Sequence, residues 1–95
     1  KYGQSREFDT VSCMFAFHEM PKEGHLKTVR NALRVAKKEV VIVDISTNYE
    51  PSDLMLTGEP YINDYLKNVD NTLRNYGFTK KIFIRNHVDV WKLIL

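Results

Sequence analysis

Cysteine is almost missing from this chain: Cys13 is the only one, which excludes an internal disulfide and any Cys-x-x-Cys metal site. It stands inside an apolar run, where a buried and inert thiol is expected rather than a nucleophile. Long apolar runs are missing as well. The longest uninterrupted stretches are a handful of residues, too short to cross a bilayer, so no membrane partner is expected. Nor does one sign of charge prevail. Fourteen Lys and Arg face twelve Asp and Glu, leaving a formal +2, and only Lys37-Lys38 and Lys80-Lys81 cluster. A nucleic-acid surface shows a basic stripe, so nucleic acid is not an expected partner. Glycine is sparse: Gly3, Gly24, Gly58 and Gly77 are all isolated, so no glycine-rich phosphate turn is present. The chain has no initiator Met and no signal peptide, and a strand-like segment begins soon after Lys1. These features suggest a fragment or processed product and a cytoplasmic setting.

What remains is the composition of one folded unit, 43% hydrophobic and 12% aromatic over 95 residues, with no repeat or linker. Phe8 to Phe15 is apolar, β-branched and aromatic, and predicts a strand. Pro21 opens a helical pattern in which Leu26, Val29, Leu33 and Ala36 share one face, with Lys37 and Lys38 closing it. Val40-Val41-Ile42-Val43, ending at Asp44, is a continuous β-branched run of the kind covered on both faces in a parallel sheet. An irregular stretch follows from Ser46 to Pro60, with one helical turn expected around Ser52–Leu56; loops of this length tend to be functional or mobile. Pro60 suits the first turn of a second helix, whose stripe is Ile62, Leu66, Val69, Leu73 and Tyr76. Gly77 stands where a C-terminal glycine belongs. Strands at Phe78–Arg85 and Val88–Leu95, linked by Asn86-His87, predict an antiparallel hairpin. The order β-α-β-α-β-β predicts an α/β fold: three parallel strands plus a final antiparallel strand, with helices mainly on one face.

That order, with its local sequences, resembles the C-terminal half of the class I, Rossmann-like, seven-stranded S-adenosylmethionine-dependent methyltransferases. Phe8-Asp9-Thr10-Val11 resembles the family's "FD-x-V" fourth strand, and Phe17-His18-Glu19 the "LHH" or "LHE" after it. Leu33-Arg34-Val35-Ala36-Lys37 resembles "RVLKPGG", Val41-Ile42-Val43-Asp44 the fifth strand, and Gly77-Phe78 the "GF" before the sixth. The family's last strand is antiparallel and inserts beside the fifth. Two departures stand out. "KPGG" is here Lys37-Lys38-Glu39-Val40, and the strand-GxGxG-helix of the cofactor half is missing. The resemblance thus implies a partial domain over residues 1–95, an S-adenosylmethionine cofactor in the complete parent domain, and an unknown methyl acceptor. The 95 residues alone are then expected to be inactive, because the glycines and the ribose-binding acid lie upstream.

Ligands of open α/β sheets sit beyond the carboxyl ends of the strands. There the resemblance places Phe15, Ala16, Phe17 and His18 against the cofactor, and Asp44, Ser46 and Tyr49 on the substrate side. His18 and Glu19 are the candidates for acid–base catalysis, needed only if the acceptor must lose a proton. Alternatively, His18 caps the next helix or lines the pocket. Asp44 must be solvated, paired or hydrogen-bonded at its strand end. His18-Glu19-Met20-Pro21 is not His-Glu-x-x-His, so no metal is expected. Glu59 is read as helix-start chemistry, Trp91 as core, and His25 and His87 as surface residues. Half a sheet would bare about 400 Å² of one face and leave the first strand as an edge. The expected partner is therefore a second copy, joined through the bare sheet face or the edge strand. The rival reading is a non-catalytic, self-associating module derived from such a half-domain.

Overall fold

The computed structural model describes residues 8–95; the first seven residues of the predicted unit lie outside them. It is a mixed α/β fold. The elements are β1 (Phe8–Met14), a 3-10 turn (Phe17–Glu19), α1 (Lys22–Val35), β2 (Ala36–Ile45), α2 (Asp53–Gly58), α3 (Ile62–Asn75), β3 (Thr79–Ile84) and β4 (Val88–Ile94). The four strands form one sheet in the order β1-β2-β4-β3. The pattern differs in detail from a plain run of three parallel strands and one antiparallel strand, because the strand that runs opposite to the other three is inserted between two of them. Only the β1–β2 ladder is parallel; both ladders of β4 are antiparallel. The cause is the place of β4, which returns through the hairpin and stands between β2 and β3.

Local chemistry sets the boundaries. Met20 is extended, as the residue before Pro21 must be, and Pro21 serves as the N-cap of α1. Lys37 and Lys38 do not close that helix: α1 stops at Val35, and β2 starts four residues earlier than the Val40 run suggests. Ser52 accepts a hydrogen bond from Met55 N and starts α2. At the end of α3, Gly77 N–H bonds Arg74 O at 2.9 Å and Phe78 N–H bonds Leu73 O at 3.0 Å. This is a Schellman closure, and it needs the left-handed φ of +95° at Gly77.

Helices α1 and α3 pack on each other and on one face of the sheet. Val29, Ala32, Val40, Ile42, Val69, Leu73 and Trp91 are the centre of the core. The stripes are rotated slightly from the sequence pattern. Fully buried His25 replaces Leu26, which is only half-buried, and Tyr65 takes the place expected of Leu66. Both shifts exchange an aliphatic side chain for a ring that meets other rings at the end of the sheet.

The other face of the sheet carries no helix among the described residues, so Val41 and Val43 stay half-exposed. Register puts Met14, Val43, Val90 and Lys81 in one row and Ser12, Val41, Lys92 and Thr79 in the next. Glu39 bonds Thr10 Oγ1 at 3.0 Å and pairs with Lys92 at 3.3 Å. Polar groups therefore divide the face, and its apolar part is narrower than a bare half-sheet implies. No helix among the described residues is long and apolar enough to cross a membrane.

Candidate functional site

The carboxyl ends of β1 and β2 are joined by one buried acid. Asp44 is fully buried. Its Oδ2 accepts Phe17 N–H at 2.7 Å, while Oδ1 accepts Ile45 N–H at 2.8 Å and faces His18 Nδ1 at 2.7 Å. For the chain to reach it, β1 must turn sharply. Phe15 does this with φ of +54°, in the left-handed region that bulky residues avoid, held by Phe15 N–H on Val43 O at 2.7 Å. A strand end bent this way delivers two consecutive residues, Phe17 and His18, to the same carboxylate.

Aromatic rings enclose that acid. Phe17 is fully buried and stacks on His25, with centroids 4.7 Å apart and planes at 4°. The Tyr65 ring stands edge-on to His25 at 6.0 Å and to His18 at 6.3 Å, and its hydroxyl donates to Ile45 O. Burial pushes the Tyr65 phenol far above its usual range, and the nearby charges of Asp44, Asp89 and Asp70 add to this. His25 donates Nε2–H to Phe17 O at 2.6 Å, and its buried Nδ1 finds no hydrogen-bond partner. Burial lowers its pKa below the usual value, against the smaller opposing effect of the Phe17 carbonyl.

His18 does not cap α1, which has no side-chain cap. It remains partly open to solvent, with 12% of its side chain accessible. Glu19 beside it is exposed, and Glu59 arrives from the loop that follows α2. One ligand atom each of His18, Glu19 and Glu59 lies within 4.8 Å of the others. Glu59 is not at a helix start: it is the C-cap of α2, its N–H on Met55 O at 2.9 Å.

Phe15, Ala16, Phe17, His18, Glu19 and Asp44 are thus brought together. Ser46 and Tyr49 join a different group. Buried Ser46 bonds His87 O through its N–H at 3.0 Å and accepts Asn48 N–H on Oγ at 3.1 Å. The Tyr49 ring meets His87 edge-on at 6.1 Å, and a polar cavity of about 280 Å³ opens among Asn48, Tyr49, Glu50, Asn86 and His87. His87 is exposed and Trp91 is buried, as the sequence suggests.

Beside Asp44, its register partner on β4 is Asp89, also buried. Asp89 Oδ2 lies 3.7 Å from Lys80 Nζ, which also bonds Asp70 at 2.9 Å and Thr47 Oγ1 at 3.3 Å. Trp91 Nε1–H donates to Asp70 at 3.0 Å. Burial alone would raise the Asp70 carboxyl, but the bonds from Lys80 and Trp91 and the Lys80 charge bring it below its ordinary value. This network locks α3, β3 and β4 together.

A cavity of about 450 Å³ lies away from these groups, a largely apolar groove between β1 and α1 lined by Val11, Cys13, Val29, Ala32, Val35 and Ile42. Cys13 on its wall has its thiol pKa raised, chiefly by burial and further by Asp44. No protein-family model matches this chain, and no curated protein matches it either.

Proposed function

We propose that the chain is the C-terminal half of a class I S-adenosylmethionine-dependent methyltransferase domain, acting on an unidentified acceptor. The observation that carries this reading is the placement of the last strand. β4 runs against both neighbours and lies between β2 and β3, so β1, β2 and β3 point one way. The family's sheet ends in the same manner. The buried Asp44 and the His18 it holds at the carboxyl ends of β1 and β2 support it, because ligands of such sheets sit there. So does the apolar groove along edge strand β1, a place for a further packed element. In this reading S-adenosylmethionine lies along Phe15–His18, and Asp44, Ser46 and Tyr49 belong to the acceptor side. His18 and Glu19 serve proton transfer where the acceptor requires it. A cytoplasmic enzyme fits the lone thiol.

The test begins with the coding sequence upstream of Lys1. An open frame with a strand, a GxGxG turn, a helix and a later acidic residue is expected. The longer chain should bind S-adenosylhomocysteine in calorimetry, while the 95 residues alone should not. A frame without the glycine turn, or a longer chain that takes up no cofactor, overturns the reading.

A second reading, a self-associating module without catalysis, is favoured by the edge position of β1 and by the row in which Met14 is exposed and Val43 and Val90 are half-exposed.

A further inference from the structure

We propose that His18, Glu19 and Glu59 bind a divalent first-row transition ion, best matched by Zn²⁺, and that Asp44 positions His18 for it. The sequence gives no hint through a linear motif, because the third ligand comes from a distant loop. The three ligand atoms converge within 4.8 Å. Among the described residues, neither Glu19 nor Glu59 has a side-chain hydrogen bond or an ion pair. Two carboxylates so close repel each other unless a proton or a cation lies with them. Among the described residues, no Lys or Arg pairs with either carboxylate.

The histidine is prepared for the role from behind. Asp44 lies outside the cluster, is fully buried, and faces His18 Nδ1 at 2.7 Å. A carboxylate only accepts, so Nδ1 carries the hydrogen, and Nε2 is the ring nitrogen left to offer a lone pair to an ion. The Tyr65 ring edge at 6.3 Å further limits the imidazole. A histidine that donates its second nitrogen to a carboxylate is the usual arrangement of a metal-ligating imidazole. The donor set chooses the metal: imidazole with carboxylates suits Zn²⁺ and its neighbours, whereas Mg²⁺ and Ca²⁺ prefer oxygen alone. Three protein ligands leave a position open toward solvent at the carboxyl ends of the strands. The ion would also tie the loop after α2 to the turn after β1.

The experiment titrates ZnCl₂ alone into the 95-residue chain by calorimetry, with MgCl₂ as comparison and Co²⁺ absorption as a second readout. One equivalent of Zn²⁺ is expected, with Mg²⁺ not competing and Co²⁺ giving visible ligand-field bands. Glu19→Gln and Glu59→Gln should each weaken binding by more than about tenfold, and Asp44→Asn by about 10–100-fold, the range for an outer partner. Glu19 is exposed and Glu59 caps α2 through its backbone, so these two variants keep the fold and carry the test. Absence of Zn²⁺ uptake, or uptake unchanged in both Glu variants, overturns the proposal. No S-adenosylmethionine enters these titrations, so the cofactor reading stands or falls separately.

Discussion

Replacing Lys80 with methionine isolates what the ammonium does. The methionine keeps most of the stem and removes the charge from a site where 20% of the Lys80 side chain is accessible. Two acids then lose their cation. Asp70 keeps hydrogen bonds from Trp91 Nε1 at 3.0 Å and Thr47 Oγ1 at 3.4 Å, and 28% of its side chain meets water. Asp89 is worse placed. It is 1% exposed, its Oδ1 has no hydrogen-bond partner, and Oδ2 retains only Thr47 N–H at 3.4 Å. Breaking a fully buried pair costs about 3–5 kcal/mol, and partial exposure of Lys80 reduces this to about 2–3 kcal/mol. For a domain of this size that loss lowers the melting temperature by about 10–20 °C. Trp91, the only tryptophan, reports urea unfolding from within the network. In the Lys80→Met background, Asp89→Asn should recover most of the loss, because it removes the stranded charge. A Lys80→Met chain within about 0.5 kcal/mol of the parent, the range of ordinary surface changes, refutes the argument. So does an Asp89→Asn change that adds to the loss instead of offsetting it.

Acid should destabilise the fold early. The folded His25 has a pKa below its ordinary 6.5, so under that pH the unfolded chain binds a proton that the folded chain refuses, and stability falls as pH drops. The urea midpoint should decline from pH 7 to pH 5, and His25→Phe should flatten that limb; an unchanged slope in the variant contradicts it. Asp70, lowered from 3.8, contributes stability above that pH and loses it on further acidification, giving a second decline that Asp70→Asn removes. Self-association is checked by sedimentation of the 95-residue chain, with a concentration-dependent dimer expected and weakened by Met14→Lys on the exposed row. A monodisperse monomer counts against the module reading.

Strand and helix positions were legible where periodicity and turn chemistry agreed. Ile62, Val69 and Leu73 lie on the buried stripe of α3, and Gly77 closes it. The β2 boundary was not, since Ala36-Lys37-Lys38-Glu39 has no β-branched residue and becomes a strand by pairing with Phe8, Thr10 and Ile94. His25 was misread as a surface residue because a lone histidine carries no partner pattern. Its position, four residues before Val29, was the available signal. Tyr65 was recoverable on the same ground, three after Ile62 and four before Val69. Glu59, Asp70, Lys80 and Asp89 were not recoverable: their roles depend on which loops and strands meet at one end of the sheet, and no local spacing encodes that. The gathering of His18 and Asp44 was visible only through the rule that ligand-bearing ends of strands converge.

The two buried acids at that end are handled in opposite ways, and the difference decides where chemistry can occur. Asp89 is matched by a cation from β3, Lys80, which is itself shared with Asp70 and Thr47. Both acids of that group share the one cation, Lys80, and the group ties α3 to β3 and β4, so its work is structural. Asp44, one strand over, has no Lys or Arg beside it among the described residues. It is held instead by two backbone N–H groups and by His18, which costs the strained turn at Phe15 about 1–3 kcal/mol. The imidazole meets the carboxylate by hydrogen bonding at 2.7 Å, in place of a Lys or Arg. Glu19 and Glu59 converge on the same ring. An end of a sheet that gathers three acids around one imidazole attracts cationic groups, whether a metal ion or the sulfonium of the proposed cofactor.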